Sequence, residues 1–435
     1  MSISKQNLGD PLLQMPAGAL RREPSVGVVG AVQAVTVAPR VFAWRWAIIS
    51  VFVLASTLNY LDRQLLAAVA PSLRGEFRLS NADYGAIVAA FSITYTLVAP
   101  VAGWLVDRVG LKLGTMASVA CWSLVSLLTG GVGSYRALLG CRMALGVAEA
   151  AGIPASSKST AVYLQPREFG LGMALQAVGA TVGMMAAPLI VAVAAPAFGW
   201  RSAFVICGVA SLLWLPLFWL VSRRLGGASA TSGEAAPVAL RDVIVDRRFW
   251  GIIAANVLVM ATHSLWMNWT TIYFVERFHL TQTEANQYFA WIPPIFASLG
   301  GFFGGWLGLR QVDKGGDVVR ARLRICTVVA PMMLVTALVP LAGSPILAAA
   351  AISASFFVCL TFLNNLHVIP MDVFGPQRAA FTAAALASSY ALMQTGLSPA
   401  MGRVVDTAGF GLLCGSIAVL PLVAILLLRM AFKGA

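Results

Sequence analysis

Gly103-Trp104-Leu105-Val106-Asp107-Arg108-Val109-Gly110-Leu111-Lys112-Leu113-Gly114 sits between two apolar runs, roughly residues 82–105 and 113–132. So few polar residues between such runs make a tight turn between two antiparallel helices. Gly103 permits close helix approach, and Gly110 and Gly114 permit the turn. Asp107, Arg108 and Lys112 can pair with one another and with the helix ends. A spanning helix needs about 20 apolar residues, and the same rhythm continues in both directions. Spans are read at roughly 44–70, 82–105, 113–132, 136–158, 168–194 and 200–222. A second set follows at roughly 249–275, 286–309, 324–343, 345–366, 378–402 and 409–431.

The expected fold is therefore an all-α membrane protein with twelve transmembrane helices in two pseudo-symmetric six-helix bundles. Residues 1–43 are read as a disordered cytoplasmic tail, 44–222 as the first bundle, 223–248 as a cytoplasmic linker and 249–435 as the second bundle. Composition agrees. Of 435 residues, 59% are hydrophobic and 11% charged, against roughly 25% charged in soluble domains. A soluble enzyme, a secreted disulfide scaffold and a disordered regulator are excluded. The net charge of +13 reports topology here, not a nucleic-acid partner. With the N-terminus inside, Arg108, Lys112, Arg167, the linker arginines, the cluster from Arg310 to Arg324, Arg378, Arg429 and Lys433 fall on the cytoplasmic side. The opposite side keeps only Arg74, Arg78, Arg136, Arg201, Arg277 and Arg403. Basic residues favour cytoplasmic loops, so both termini are expected in the cytoplasm, with a bacterial inner membrane as the location. The six cysteines lie in apolar segments without metal-ligand spacing and are read as packing residues.

The quoted turn matches G-x-L-x-D-R-x-G-x-K-x-G at all its fixed positions. It resembles the cytoplasmic loop signature of the major facilitator superfamily, which implies a gating role for Gly103, Asp107, Arg108, Gly110 and Lys112. The corresponding stretch of the second half, Gly304-Gly305-Trp306-Leu307-Gly308-Leu309-Arg310, has Leu309 where an aspartate is usual, with Asp313 as a possible substitute.

Span 1 carries Asn59-Tyr60-Leu61-Asp62-Arg63-Gln64. Opposite charges inside a spanning helix are expensive and functional by default. Asn59, Asp62 and Arg63 cluster on one helix face. Span 4 carries Arg142 and Glu149, seven residues and about 10 Å apart on one face, followed by Gly152 and Pro154. These pentad and R-x-x-x-G-x-x-E-A patterns are similar to the anion:cation symporter branch of the superfamily, which includes bacterial carriers of galactonate, hexuronates and glucarate. The resemblance implies that Asp62 and Glu149 couple protons and that Arg63 and Arg142 serve as substrate and relay cations.

The residues point to the same chemistry. An arginine fork matches a carboxylate, and ionised acids beside it keep the site near neutral. Desolvation favours the neutral acid, and protonation then frees positive charge for an incoming anion. The alternative is that Arg142 with Glu149, or Asp62 with Arg63, forms a buried pair that only fixes packing. Tyr60, Asn59, His263, Trp266, Asn364, Asn365 and Gln394 are candidates for reading substrate hydroxyls. Asn364 and Asn365 could instead bond between helices, and His263 could be a satisfied packing residue. No Walker A loop, metal spacing or nucleophile elbow appears, so neither an enzyme nor an ATP-driven pump is expected. The expectation is a monomeric secondary transporter in the lipid bilayer, with no cofactor beyond a coupling proton or sodium ion. It would carry a small organic anion by symport and alternating access. The alternative is an antiporter exporting organic acids or drugs.

Overall fold

The computed structural model describes residues 39–165, 168–223, 241–312, 317–375 and 378–433. The tail before residue 39, most of the linker, Arg167, Asp313 and the Asp107 side chain lie outside that description. Among the described residues every regular element is helical: α1 (Pro39–Phe77), α2 (Asn81–Val109), α3 (Leu111–Thr129), α4 (Tyr135–Glu149), α5 (Gly152–Tyr163), α6 (Phe169–Phe198), α7 (Arg201–Arg223), α8 (Arg241–Val245), α9 (Arg247–Phe278), α10 (Gln282–Ala285), α11 (Ile292–Val312), α12 (Val318–Met332), α13 (Val335–Leu338), α14 (Pro345–Phe374) and α15 (Ala379–Ala431).

Eleven helical stretches among the described residues are long and apolar enough to cross a membrane. The last holds two spans. A continuous helix of α15's 53 residues would run about 80 Å, against a hydrocarbon core of about 30 Å. Gly409 breaks it with φ 73° and ψ 179°, a conformation open to glycine and costly for other residues. Twelve spans result, and the chain is a multi-pass membrane protein. An even number of crossings puts the start of α1 and the end of α15 on one face, the face of the α2–α3 turn.

Several spans are less regular than their hydropathy suggests. Span 4 is divided between α4 and α5 at Ala150 and Ala151, beside Gly152 and Pro154. Span 8 opens with a π-helical turn, Asn286–Ala290, between α10 and α11. Such turns frequently mark functional positions.

The halves repeat a local design. Arg78 follows α1 with φ 52°, and His279 follows α9 with φ 56°. Each precedes a capping box, Ser80 with Asp83 and Thr281 with Glu284. One core cluster draws only on residues between Ile48 and Phe218. A second draws only on residues between Val243 and Phe432. A third joins the halves, bringing Leu65, Val69 and Tyr84 against Trp266, Trp269 and Phe410.

The joining is one-sided. Toward the face opposite the α2–α3 turn, Arg74 pairs with Glu276 at 2.5 Å, and Asn81 Nδ2 donates to the same carboxylate at 3.3 Å. Asp406 on α15 accepts from the backbone amides of Asn81 and Ala82, each at 3.0 Å. Gln282 accepts from the Ser72 amide at 2.9 Å, and Asn286 donates to the Ala68 carbonyl at 2.8 Å. On the face of the α2–α3 turn, ion pairs among the described residues stay within one half: Arg45 with Glu168, Arg322 with Asp372, and Arg378 with Asp242. The bundle is zipped on one face, and among the described residues no ion pair joins the halves on the other.

Candidate functional site

The four charged residues of spans 1 and 4 come together inside the first half. Gly146 is one reason. A Cβ there would collide with Thr94 Oγ1 and the Phe91 carbonyl, so glycine lets α4 press against α2. That approach carries Glu149 to the end of α4 beneath the α2 aromatics. Ser118 ties α3 to the same place by donating to the Ala148 carbonyl at 2.5 Å.

The pairing runs between helices, not along them. Arg63 Nε on α1 donates to Glu149 Oε2 on α4 at 2.5 Å. Neither within-helix pair of the alternative packing reading, Arg142 with Glu149 or Asp62 with Arg63, forms. Helical periodicity names the residues that share a face but is silent on what faces them. The Arg63 guanidinium lies over Tyr95, Phe91 and Tyr60, at 4.7, 4.9 and 5.5 Å from their ring centroids. Ring quadrupoles attract a cation, so the cage favours a charged Arg63 whether or not Glu149 is ionised.

Asp62 and Arg142 are buried as well. Asp62 is 1% and Arg142 2% exposed. The Ser126 hydroxyl lies 3.1 Å from both Asp62 Oδ1 and the Phe204 carbonyl, so its one proton is shared between two acceptors. The Arg142 guanidinium stands 5.3 Å from the Phe204 ring. Among the described residues, Arg142 Nε and Nη2, Asp62 Oδ2 and Glu149 Oε1 have no hydrogen-bond partner. Two arginines and two acids therefore share one buried region with much of their hydrogen-bonding capacity unused. A purely structural pair satisfies its groups, because an unmet buried charge is costly. This arrangement is suited to exchange partners.

One turn along α1 from Asp62 and Arg63, toward the face of the α2–α3 turn, Asn59 and Tyr60 line a cavity of about 230 Å³. Arg142 does not reach it. Neither do Asp62, Arg63 and Glu149, whose side chains lie outside its wall. The candidates of the second half are largely engaged elsewhere. Asn364 donates to the Gly301 carbonyl at 2.9 Å and Asn365 to the Gly304 carbonyl at 3.0 Å. They bond α14 to the glycine-rich face of α11 and lie outside the wall of that cavity. Trp266 is 2% exposed in the core between the halves, its indole N–H donating to Ser355 at 3.0 Å. His263 stacks on Phe356 at 5.4 Å and meets Tyr390 edge-on at 5.9 Å. Gln394 is buried on α15, outside the cavity wall.

In the α2–α3 turn, Gly110 has φ 88° and closes the turn by donating to the Val106 carbonyl. Gly103 faces Pro154 of α5 with room for a Cβ in ordinary contact at 3.9 Å, so close approach there does not require glycine. Arg108 lies 5.3 Å over the Trp104 ring, and Lys112 is exposed. The sequence reading missed Ser126, the cage of Phe91 and Tyr95, and the inter-half pairs of Glu276 and Asp406. The spacing of Phe91 and Tyr95, one helical turn apart, was an available signal for the cage. Outside the spans, side-chain hydrogen bonds from Arg248 hold the Asp246 carboxyl below the usual carboxylate range.

A bundle of twelve spans, zipped on one face around a buried set of charges, has the build of a secondary transporter. The family model described as Major Facilitator Superfamily matches residues 52–402, and the chain belongs to that family of transporters, not to an enzyme family. Its relatives fall in the sugar-acid branch. It is similar to the hexuronate transporter of Escherichia coli (strain K12), with 29% identity over 88% of this chain and 93% of that one. It is also similar to the galacturonate transporter of Dickeya chrysanthemi, with 30% identity over 72% of this chain and 95% of that one. Among solved structures, a bacterial homologue of the human lysosomal transporter Spinster shares the fold. Its TM-score is 0.74 at 18% identity, covering 90% of this chain and 97% of that one.

Proposed function

We propose that this protein carries a small organic anion, a sugar acid of the hexuronate kind, across a bacterial inner membrane by proton-coupled symport. The observation that carries the reading is the caged Arg63 bonded to a fully buried Glu149, next to Asp62 and Arg142. With all four ionised, the set is neutral. A proton taken up by Glu149 removes the partner of Arg63 Nε and leaves the set one charge positive. The Tyr60–Phe91–Tyr95 cage keeps the guanidinium in place. A carboxylate from the substrate then takes the position of the lost acid and restores neutrality. Loaded with both proton and anion, or with neither, the set carries no net charge. These are the two states in which rocking the halves costs least in a low-dielectric interior. Loading only one of the two leaves a buried net charge, and that penalty is the coupling.

Both termini and the face of the α2–α3 turn belong to the cytoplasm, and the zipped face is exterior. In this state the carrier releases its cargo inward. The relatives named for hexuronate and galacturonate transport support the cargo class. The test is uptake of labelled glucuronate by purified protein in liposomes. Accumulation driven by an inward proton gradient and collapsed by a protonophore is expected. Equal accumulation without a gradient, or accumulation that follows a sodium gradient instead, overturns the proton coupling.

A further inference from the structure

Three arginines on the face of the α2–α3 turn rest beside an aromatic ring and not beside an acid. Arg108 stands 5.3 Å from the Trp104 ring centroid, Arg223 4.3 Å from that of Trp219, and Arg310 5.1 Å from that of Trp306. Each arginine follows its tryptophan by four residues near the end of a helix, α2, α7 or α11, and all six residues are exposed. Other arginines of that face are engaged by acids, Arg45 with Glu168, Arg322 with Asp372 and Arg378 with Asp242. Arg108, Arg223 and Arg310 make no ion pair or hydrogen bond with another described residue. Two of the pairs are repeats of one another. Gly103-Trp104-Leu105-Val106-Asp107-Arg108 corresponds to Gly305-Trp306-Leu307-Gly308-Leu309-Arg310. The second copy lacks the aspartate and still carries the tryptophan and the arginine, so the pair has a use apart from that acid. Toward the middle of the bundle, Leu97 and Val101 precede Trp104, and Leu299 and Phe303 precede Trp306, at the same spacing. Their exposures run from 41% to 71%. Each set of four, ending on its arginine, forms a single helical stripe, turned away from Gly85 and Gly300, where α15 and α14 press in. On α7, exposed Val209 and Pro216 stand in line with Trp219 and Arg223.

We propose that these stripes hold anionic phospholipid from the adjoining leaflet, with an acyl chain along the apolar residues, the glycerol region at the indole and the phosphate on the guanidinium. The length fits. From Leu97 to Arg108, and from Leu299 to Arg310, the rise is about 17 Å, close to half of a hydrocarbon core of about 30 Å. A soluble phosphate compound would use the arginine and leave the apolar stripe bare. The indole holds the guanidinium near the helix end without using its N–H groups, and those match phosphate oxygens in two-pronged geometry. The charge selects the headgroup. Each of these arginines lacks a neutralising acid among the described residues, so a lipid with a net negative charge supplies what the protein does not. Phosphatidylcholine carries its own cation beside the phosphate and has no net charge to offer. The inference needs only the twelve-span bundle, and it stands whatever the cargo or coupling ion.

The test counts lipid bound to the full chain in detergent by native mass spectrometry, titrating phosphatidylglycerol or phosphatidylcholine of the same acyl chains. The double variant Arg108→Gln/Arg310→Gln is compared with Arg429→Gln/Lys433→Gln. The second removes the same charge from exposed residues at the end of α15. The wild type is expected to bind phosphatidylglycerol more tightly than phosphatidylcholine. The ratio of the two affinities should fall about fivefold per site in Arg108→Gln/Arg310→Gln, the worth of one arginine at an anionic surface. It should change by about twofold at most in the α15 variant. Phosphatidylcholine affinity reads the apolar stripe and should be the same in all three chains. A wild type that binds both lipids alike overturns the proposal, and so does an unchanged ratio in Arg108→Gln/Arg310→Gln. An equal fall in both variants also overturns it, because the attraction would then belong to the whole basic face. Loss of phosphatidylcholine binding along with phosphatidylglycerol would assign the two arginines to the fold instead.

Discussion

Asp406→Ala should unlatch the zipped face. Helix α2 begins with a capping box in which Ser80 serves the Asp83 amide and Asp83 serves the Ser80 amide. That box leaves the amides of Asn81 and Ala82 unserved within their own half. The Asp406 carboxylate of the other half meets both at 3.0 Å. Completing a helix N-terminus in this way contributes about 0.5–2 kcal/mol, and negative charge there also suits the helix dipole. Asp406 is exposed, so about 1.4 kcal/mol is a fair central figure, equal to a tenfold change in population. The contact exists only while that face is closed, because in the open state the amides and the carboxylate face water separately. A closed state favoured about twentyfold would fall to about twofold. The assay is the distance between spin labels at Phe198 and Leu341, both exposed and at the zipped-face ends of opposite halves, in a chain with its six cysteines replaced. A second, longer distance should grow in Asp406→Ala. An unchanged distribution would show that the cap contributes nothing to closure.

Three further outcomes follow from particular contacts. A Cβ at Gly183 would press on the Thr57 carbonyl and come within 2.9 Å of the Leu61 amide. Gly183→Ala should therefore lower the melting temperature through about 1–3 kcal/mol of overpacking between α6 and α1, and an unchanged melting temperature would refute that approach. Asn365→Ala removes a bond between α14 and α11 and should cost about 1 kcal/mol of stability without weakening glucuronate binding. A tenfold affinity loss at unchanged stability would return Asn365 to the binding site. Asp246 caps α9 by accepting from the Arg248 amide at 2.8 Å, and its carboxyl is held below the usual range. Its stabilisation is fully present above the unfolded value of about 3.9 and is lost as pH falls through the lower folded value. The melting gap between wild type and Asp246→Ala should thus be open at pH 7 and close under strong acid, and a gap that persists there contradicts the capping role.

The architecture was legible because hydropathy and one loop carry it. Twelve apolar runs and the Gly103–Gly114 turn need no partner to be read. The division of span 4 after Glu149 was not read, although Gly152 and Pro154 stood beside it. The repeat of Phe77-Arg78-Leu79-Ser80 as Phe278-His279-Leu280-Thr281 was readable and missed. It shows in side-chain types and not in hydropathy. For the site, a charge inside a spanning helix was a sufficient signal for Asp62, Arg63, Arg142 and Glu149. Their pairing was not, since the Arg63–Glu149 contact depends on how close Gly146 lets α4 come to α2. Asn364 and Asn365 looked like cavity residues because amides in lipid need a purpose. The carbonyls of Gly301 and Gly304 on α11 provided it, at close range.

The central claim is that a proton on Glu149 releases Arg63 for the anion, and one measurement reaches it directly. In liposomes, Glu149→Gln fixes that position in its neutral form. It should keep exchange of glucuronate between the two sides while losing gradient-driven accumulation. Accumulation at the wild-type level in Glu149→Gln would contradict the account.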